Sequence, residues 1–180
     1  ANKLMKGFIG SANIDTNSRL CMSSSVAGHK RAFGSDTVPG CYEDWDQCEL
    51  LILTGSNTAW CHPVLYQRIV LAKKNNPEMK IVVIDPRRTA TCDSADLHLA
   101  LKPGADAILF NGLLVWLHER GYGDAQFVQE HTEGLGESLR MARWSAPTAE
   151  VVAQHCELEN DSVTTFYKWF SQIEKTVTVY

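Results

Sequence analysis

The sequence predicts an α/β protein, a mainly parallel sheet with helices on both faces, and three observations carry that reading. Residues 50–53 and 81–84 are short uninterrupted apolar runs, the first closed by Gly55-Ser56-Asn57 and the second by Asp85-Pro86. Runs of this kind suit strands buried on both faces. Between them Val64, Leu65, Ile69, Val70 and Ala72 recur with helical spacing, opposite Gln67, Arg68, Lys73 and Lys74, which predicts an amphipathic crossover helix. Leu97, Leu99 and Leu101 then alternate as a third strand, half-exposed on one face, before a strongly apolar helix at residues 105–120. A strand-helix-strand unit of this type is parallel, so the loops that follow its strands share one edge of the sheet, where ligands bind.

The remaining elements follow from local chemistry. Leu4, Met5, Phe8 and Ile9 have helical spacing before Gly10, whereas residues 11–22, rich in Asn, Ser, Asp and Thr, predict an irregular loop. A helix capped by a serine starts at Ser23 and ends at Gly34. Residues 35–48 hold a Pro39-Gly40 turn and the acids Glu43, Asp44 and Asp46, a solvated face around a packed Trp45. The helix at 105–120 is bounded by Lys102-Pro103-Gly104 and Gly121. Helices at 125–131, 135–142 and 148–155 follow, the last with Pro147 at its start. Asn160 or Asp161 caps a final helix that lines up Val163, Phe166, Tyr167, Phe170 and Ile173; Met141, Trp144 and Trp169 are expected to pack. With no repeat, low-complexity run or linker, residues 1–180 read as a single domain. The entry into a helix at Ala1 and the closing alternation TVTVY, a strand with nothing after it, predict a piece excised from a larger multidomain chain.

Composition excludes several functions. The chain is 44% apolar and 21% charged, which predicts a folded domain rather than disorder. A net charge of -4 without blocks of like charge argues against nucleic acid or a membrane surface as partner. The longest apolar run, residues 107–117, is interrupted by Asn111 and Gly112 and falls short of the roughly 20 residues that span a bilayer. The six cysteines contain no C-x-x-C pair, so zinc-ribbon and iron-sulfur spacings are absent, and scattered thiols suit a reducing, cytoplasmic setting in which most act as small buried hydrophobes. No H-x-x-x-H, H-E-x-x-H or G-x-S-x-G motif occurs.

The strand ends carry the candidate chemistry. Gly55 permits close backbone approach, and Thr54, Ser56 and Asn57 offer hydroxyl and amide groups to phosphate or ribose oxygens; the absence of G-x-G-x-x-G argues against a standard NAD site. Asp85 could accept hydrogen bonds from a ribose or a guanine, or cap the next turn and pair locally with an arginine, and Arg87 and Arg88 suit phosphate or a base carbonyl. Gly104, Ala105 and Asp106 form a third loop of the same kind, and His62 lies near the Gly55 loop. Cys21 lies just before a predicted helix N-terminus, where the partial positive charge favours thiolate, unless it is an inert buried cysteine.

In this order and at these separations, NIDTNSRLCM, LILTGSNTAWCHP, IVVIDPRRTATCDSAD and LKPGADAILFNGLL resemble molybdopterin-dependent oxidoreductases of the dimethyl-sulfoxide-reductase type, over essentially the whole chain. Within that group the resemblance is strongest to the catalytic subunit of assimilatory nitrate reductases. It implies a three-layer Rossmann-like domain and a molybdenum ion held by two molybdopterin guanine dinucleotides, with Cys21 as the catalytic protein ligand to the metal. By the same resemblance Asn17 contacts the cofactor, Thr54, Gly55, Ser56 and Asn57 line the pterin dinucleotide, Asp85 and Arg87 hold its guanosine end, and Gly104, Ala105 and Asp106 form a further cofactor loop.

The implied chemistry is reduction of nitrate to nitrite by oxygen-atom transfer as Mo(IV) becomes Mo(VI), with electrons from a donor protein or reductase subunit through a 4Fe-4S cluster. The segments for that cluster and for the cofactor-covering domain are not in these 180 residues, so the fragment alone is expected to be inactive. Formate dehydrogenases are the nearest alternative, but they typically place histidine after the metal-binding residue, where this chain has Met22. A nucleotide-binding module without redox chemistry is the alternative from another class.

Overall fold

The computed structural model describes residues 1–180, which divide into two units, Ala1–Cys41 and Tyr42–Tyr180. In the first, the predicted opening helix is a wide π-helical segment, Lys3–Ile9, closed where the Gly10 N–H donates to the Met5 carbonyl. A one-turn helix α1 (Ser18–Cys21) and a longer α2 (Ser23–Phe33) follow, the latter ending at Gly34 as expected. Residues 18–21 are thus helical where a loop was predicted. The predicted serine cap is also corrected: Met22 occupies the cap position, and the Ser23 hydroxyl donates backwards to the Leu20 carbonyl at 2.9 Å, joining the two helices. Phe8, Leu20 and Phe33 remain exposed, and neither helix of this unit contains a buried residue.

The second unit begins with α3 (Asp44–Gln47), which buries Trp45 as predicted. The strands β1 (Leu50–Thr54) and β2 (Lys80–Ile84) extend each apolar run by one residue. Between them lie a short α4 (Thr58–Cys61) and the crossover helix α5 (Pro63–Asn75), with proline in its first turn. A 3-10 turn, Ala90–Ser94, leads to β3 (Leu97–Leu99). Helices α6 (Asp106–Glu119), α7 (Ala125–His131), α8 (Leu135–Ser145), α9 (Ala149–Cys156) and α10 (Asn160–Gln172) then precede β4 (Thr176–Val179). All pairings are parallel in the order β3-β2-β1-β4.

Because side chains alternate across a strand, the sheet feeds two cores. Leu50, Ile52, Val82, Ile84 and Leu99 face Leu109 and Leu113 of α6, Val152 and Cys156 of α9, and Val163, Phe166 and Tyr167 of α10. Leu51, Leu53, Ile81 and Val83 face Trp45, Cys48, Ile69, Ala72 and Met79. Helices therefore cover both faces, giving the expected three-layer α/β arrangement. Each fully buried aliphatic side chain contributes roughly 1.5–3 kcal/mol, which is why the uninterrupted runs were legible.

Several packing expectations fail. Val64 and Val70 are exposed on α5, which turns only Ile69, Ala72 and part of Leu65 inward. Lys73, expected on the solvent side, reaches the Met79 carbonyl and pairs with Asp96 at 2.9 Å. Trp144 is 82% exposed and Met141 is also exposed, whereas Trp169 packs against the core and carries the Lys80 ammonium 5.7 Å from its ring centroid. Glu159, not Asn160 or Asp161, precedes α10. Among the cysteines Cys48, Cys92 and Cys156 are buried, but Cys21, Cys41 and Cys61 are exposed.

Candidate functional site

The exits of three parallel strands, residues 54–57, 85–88 and 100–106, lie at one edge of the sheet. The strand order reverses beside β1, with β2 and β3 on one side and β4 on the other, the topological switch point at which open α/β sheets bind ligands.

In the first loop the Gly55 N–H donates to the Ile84 carbonyl at 2.8 Å, prolonging the β1-β2 ladder before the chain turns at φ +62°. A side chain is disfavoured there by the left-handed backbone, and the space its Cβ would occupy is open. The Ser56 and Thr58 hydroxyls are hydrogen-bonded at 2.9 Å, with Thr58 buried. The Asn57 Oδ1 accepts from the Thr91 hydroxyl at 3.2 Å, and Thr91 in turn accepts the Ala59 N–H at 3.1 Å. His62 is exposed in the break between α4 and α5.

Asp85 in the second loop is only 5% exposed. Its Oδ1 accepts the Arg87 N–H at 2.8 Å, the local turn anticipated as one alternative, while the Arg87 Nε stands 3.9 Å away and its side chain points largely into solvent. The ring of His98 on β3 donates from Nε2 to the Asp85 carbonyl at 2.9 Å; that oxygen can only accept, so Nε2 carries the proton. Two residues beyond Arg87, the Thr89 hydroxyl oxygen is buried without a hydrogen-bond partner.

The third loop turns at Gly104 (φ +84°) and buries Ala105, whose N–H donates to the Lys102 carbonyl at 3.0 Å. Gly104 and the exposed Asp106 are what it offers outward. Lys102 pairs with Glu157 at 2.8 Å, and this hydrogen bond raises its pKa; Arg87 and Arg88 are further exposed cations of the edge.

Asn17 and Cys21 belong to the first unit. They sit one helical turn apart, the Cys21 N–H donating to the Asn17 carbonyl at 3.1 Å, and both are exposed. No group of three or more His, Cys, Asp or Glu side chains gathers to hold a metal ion.

Sequence reasoning overlooked Thr58, Thr89, Thr91 and His98. The polar TAT following Arg88 leads straight into buried Cys92, and a threonine held among buried neighbours was the available signal.

A parallel sheet with glycine-turned polar loops gathered along one edge defines a Rossmann-like cofactor-binding protein. The chain belongs to the molybdopterin oxidoreductase family, whose model matches residues 1–153. It is 52% identical over its full length to a nitrate reductase of Klebsiella oxytoca and 47% identical over 99% of its length to one of Shewanella frigidimarina, covering 20% and 19% of those proteins. Over 65% of its length it is 46% identical to a periplasmic nitrate reductase of Desulfovibrio desulfuricans, covering 15% of that protein. The chain thus spans about a fifth of the relatives it matches most fully. Among solved structures, the acetylene hydratase of Pelobacter acetylenicus superposes with a TM-score of 0.76 at 23% identity, covering 96% of this chain and 23% of that one, a likeness of fold.

The residues at the edge fit the family's molybdopterin cofactor. An open space above Gly55, an orphaned buried hydroxyl at Thr89, an acceptor oxygen on Asp85 and an exposed guanidinium on Arg87 supply the donors and acceptors that a group bearing phosphates and a polar ring system requires. No helix is long and apolar enough to cross a membrane.

Proposed function

We propose that residues 1–180 are the Rossmann-like domain, binding molybdopterin guanine dinucleotide, of a larger molybdenum-dependent nitrate reductase that reduces nitrate to nitrite by oxygen-atom transfer. The observation that carries this reading is the 47–52% identity to nitrate reductases over essentially the whole chain. When bound, the bis(molybdopterin guanine dinucleotide) molybdenum centre would supply the two-electron acceptor and donor for the oxygen atom. Within this chain, Cys21 would ligate the metal through its exposed sulfur, and Asn17, one turn earlier, would contact the cofactor. Thr54, Gly55, Ser56 and Asn57 would hold the pterin dinucleotide, Asp85 and Arg87 would meet guanine donors and acceptors, and Gly104, Ala105 and Asp106 would close the third side.

Nitrate is the small-molecule partner in this reading, and a 4Fe-4S cluster elsewhere in the parent passes electrons from a donor protein or reductase subunit. The remaining domains of the parent complete the site. An assimilatory, cytoplasmic role accords with the scattered cysteines; fractionation of cells expressing the parent tests the compartment.

The decisive experiment compares the full-length parent with its Cys21→Ala variant, measuring molybdenum content and nitrate reduction with a chemical electron donor. Wild type is expected to turn over nitrate in proportion to its molybdenum, and the variant to lose turnover by at least about 100-fold, as loss of a catalytic group does. Undiminished molybdenum-dependent turnover in the variant would remove Cys21 from the metal. Formate oxidation in place of nitrate reduction would move the parent to the formate dehydrogenases. The isolated fragment is expected to be inactive even with cofactor supplied.

A further inference from the structure

The Thr91 hydroxyl is fully buried, and its bonding leaves it one role. The Ala59 N–H can only donate, so at 3.1 Å it occupies a lone pair of Thr91 Oγ1. The single hydroxyl proton then goes to Asn57 Oδ1 at 3.2 Å. With the carboxamide rotated the other way, a second donor would face Thr91 and its proton would be buried without an acceptor, a costly state. Asn57 is therefore held with its oxygen inward and its NH2 group outward. What the first loop presents at this position is a pair of donors.

The turn that carries Thr91 is itself anchored. Tyr66 on α5 donates to the Ala90 carbonyl at 3.1 Å, Ser94 donates to the Thr91 carbonyl at 3.4 Å, and Cys92 N–H closes the turn on the Thr89 carbonyl at 2.9 Å. Asp85 and Arg87 lead directly into this turn, so one buried hydroxyl connects the exit of β2 to the exit of β1.

We propose that Thr91 is a positioning residue that fixes the Asn57 amide as a donor to the phosphate oxygens of the bound dinucleotide, and so couples the first two loops. This rests on the reading of those loops as a pterin-dinucleotide site. Selection at Asn57 is for acceptor oxygens, because its amide oxygen is turned inward to the Thr91 hydroxyl.

The test uses the full-length parent, with molybdenum and releasable guanine nucleotide per polypeptide measured before and after prolonged dialysis, alongside thermal unfolding of the cofactor-free protein. Thr91→Val removes the hydroxyl at nearly constant shape, Thr91→Ser keeps it, and Asn57→Asp replaces the outward donors with acceptors. The expected results are a loss of retained nucleotide of about 5–10-fold for Thr91→Val, corresponding to one hydrogen bond, retention within about twofold for Thr91→Ser, and a loss of at least about 10-fold for Asn57→Asp. Wild-type retention by Thr91→Val overturns the proposal, and so does equal loss by Thr91→Ser, which would mark a purely structural site. If Thr91→Val does not fold, Asn57→Asp decides: undiminished retention there overturns the proposal and a loss supports it. Absence of molybdenum and guanine nucleotide from the wild-type parent overturns the cofactor reading itself, an outcome distinct from any variant's behaviour.

Discussion

The hydroxyl of Tyr167 on α10 donates to the Leu109 carbonyl of α6 at 2.6 Å, across a seam kept open by Gly112 on the same face of α6. A Cβ at Gly112 would stand 2.5 Å from the tyrosine oxygen and 2.4 Å from Val152 Cγ2. Gly112→Ala is therefore expected to destabilise the 180-residue chain by about 1–3 kcal/mol through overpacking, although alanine favours a helix by roughly 1 kcal/mol. Tyr167→Phe should cost about 1 kcal/mol. Urea unfolding measures both, and a neutral or stabilising Gly112→Ala would contradict the packing.

Asp96 joins the start of β2 to α5. Its Oδ2 accepts the Ile81 N–H at 2.7 Å and the Lys73 ammonium at 2.9 Å, with both side chains about a quarter exposed. Asp96→Asn should keep the backbone bond and cost up to about 1 kcal/mol, as for a partly exposed ion pair, whereas Asp96→Ala should cost about 1–3 kcal/mol by leaving the amide unpaired. Faster hydrogen exchange at Ile81 in the alanine variant alone is the expected signature; equal exchange in both would refute it.

Alkaline pH should weaken the fold. Burial pushes the Cys48 thiol from 9.0 up to about 11, and burial likewise raises Cys156 and Tyr167. These groups keep protons in the folded state that the unfolded chain releases, so their contribution is complete below about pH 9 and declines as pH rises toward 11 and beyond. Melting temperature should fall between about pH 9 and 11, more gently in Cys48→Ala. An unchanged slope in that variant would exclude Cys48 as a source.

Thiol accessibility separates the cysteines. In the 180-residue chain, iodoacetamide should modify Cys21, Cys41 and Cys61, and reach Cys48, Cys92 and Cys156 only after unfolding. Mass spectrometry of peptides from the native protein reads this directly, and prompt labelling of Cys92 would contradict its burial.

The strands and the crossover were legible because nothing but burial on both faces accounts for uninterrupted runs such as 50–53 and 81–84. The same logic misled on α5 and α8, whereas on α10 the apolar side packs as expected and only the cap was misplaced. Val64, Val70, Met141 and Trp144 have the side chains of core residues but lie outside the cores, and the residue at a helix boundary depends on backbone geometry that composition does not encode.

The sequence by itself determined the parallel α/β plan and the positions of the three polar strand exits, since local periodicity and turn chemistry specify both. Only the tertiary structure decided how those exits are supported: that Thr91 reaches back 34 residues to Asn57, that His98 ties β3 to the Asp85 carbonyl, and that Ala105 turns inward while Asp106 faces out. Hydrogen bonds between segments distant in the chain leave no periodic trace, because each depends on sheet register and helix placement fixed only when the cores close. The loop Thr54 to Asn57, read from sequence as a set of available polar groups, is in the folded chain a loop whose Asn57 amide has its orientation set from the neighbouring strand exit.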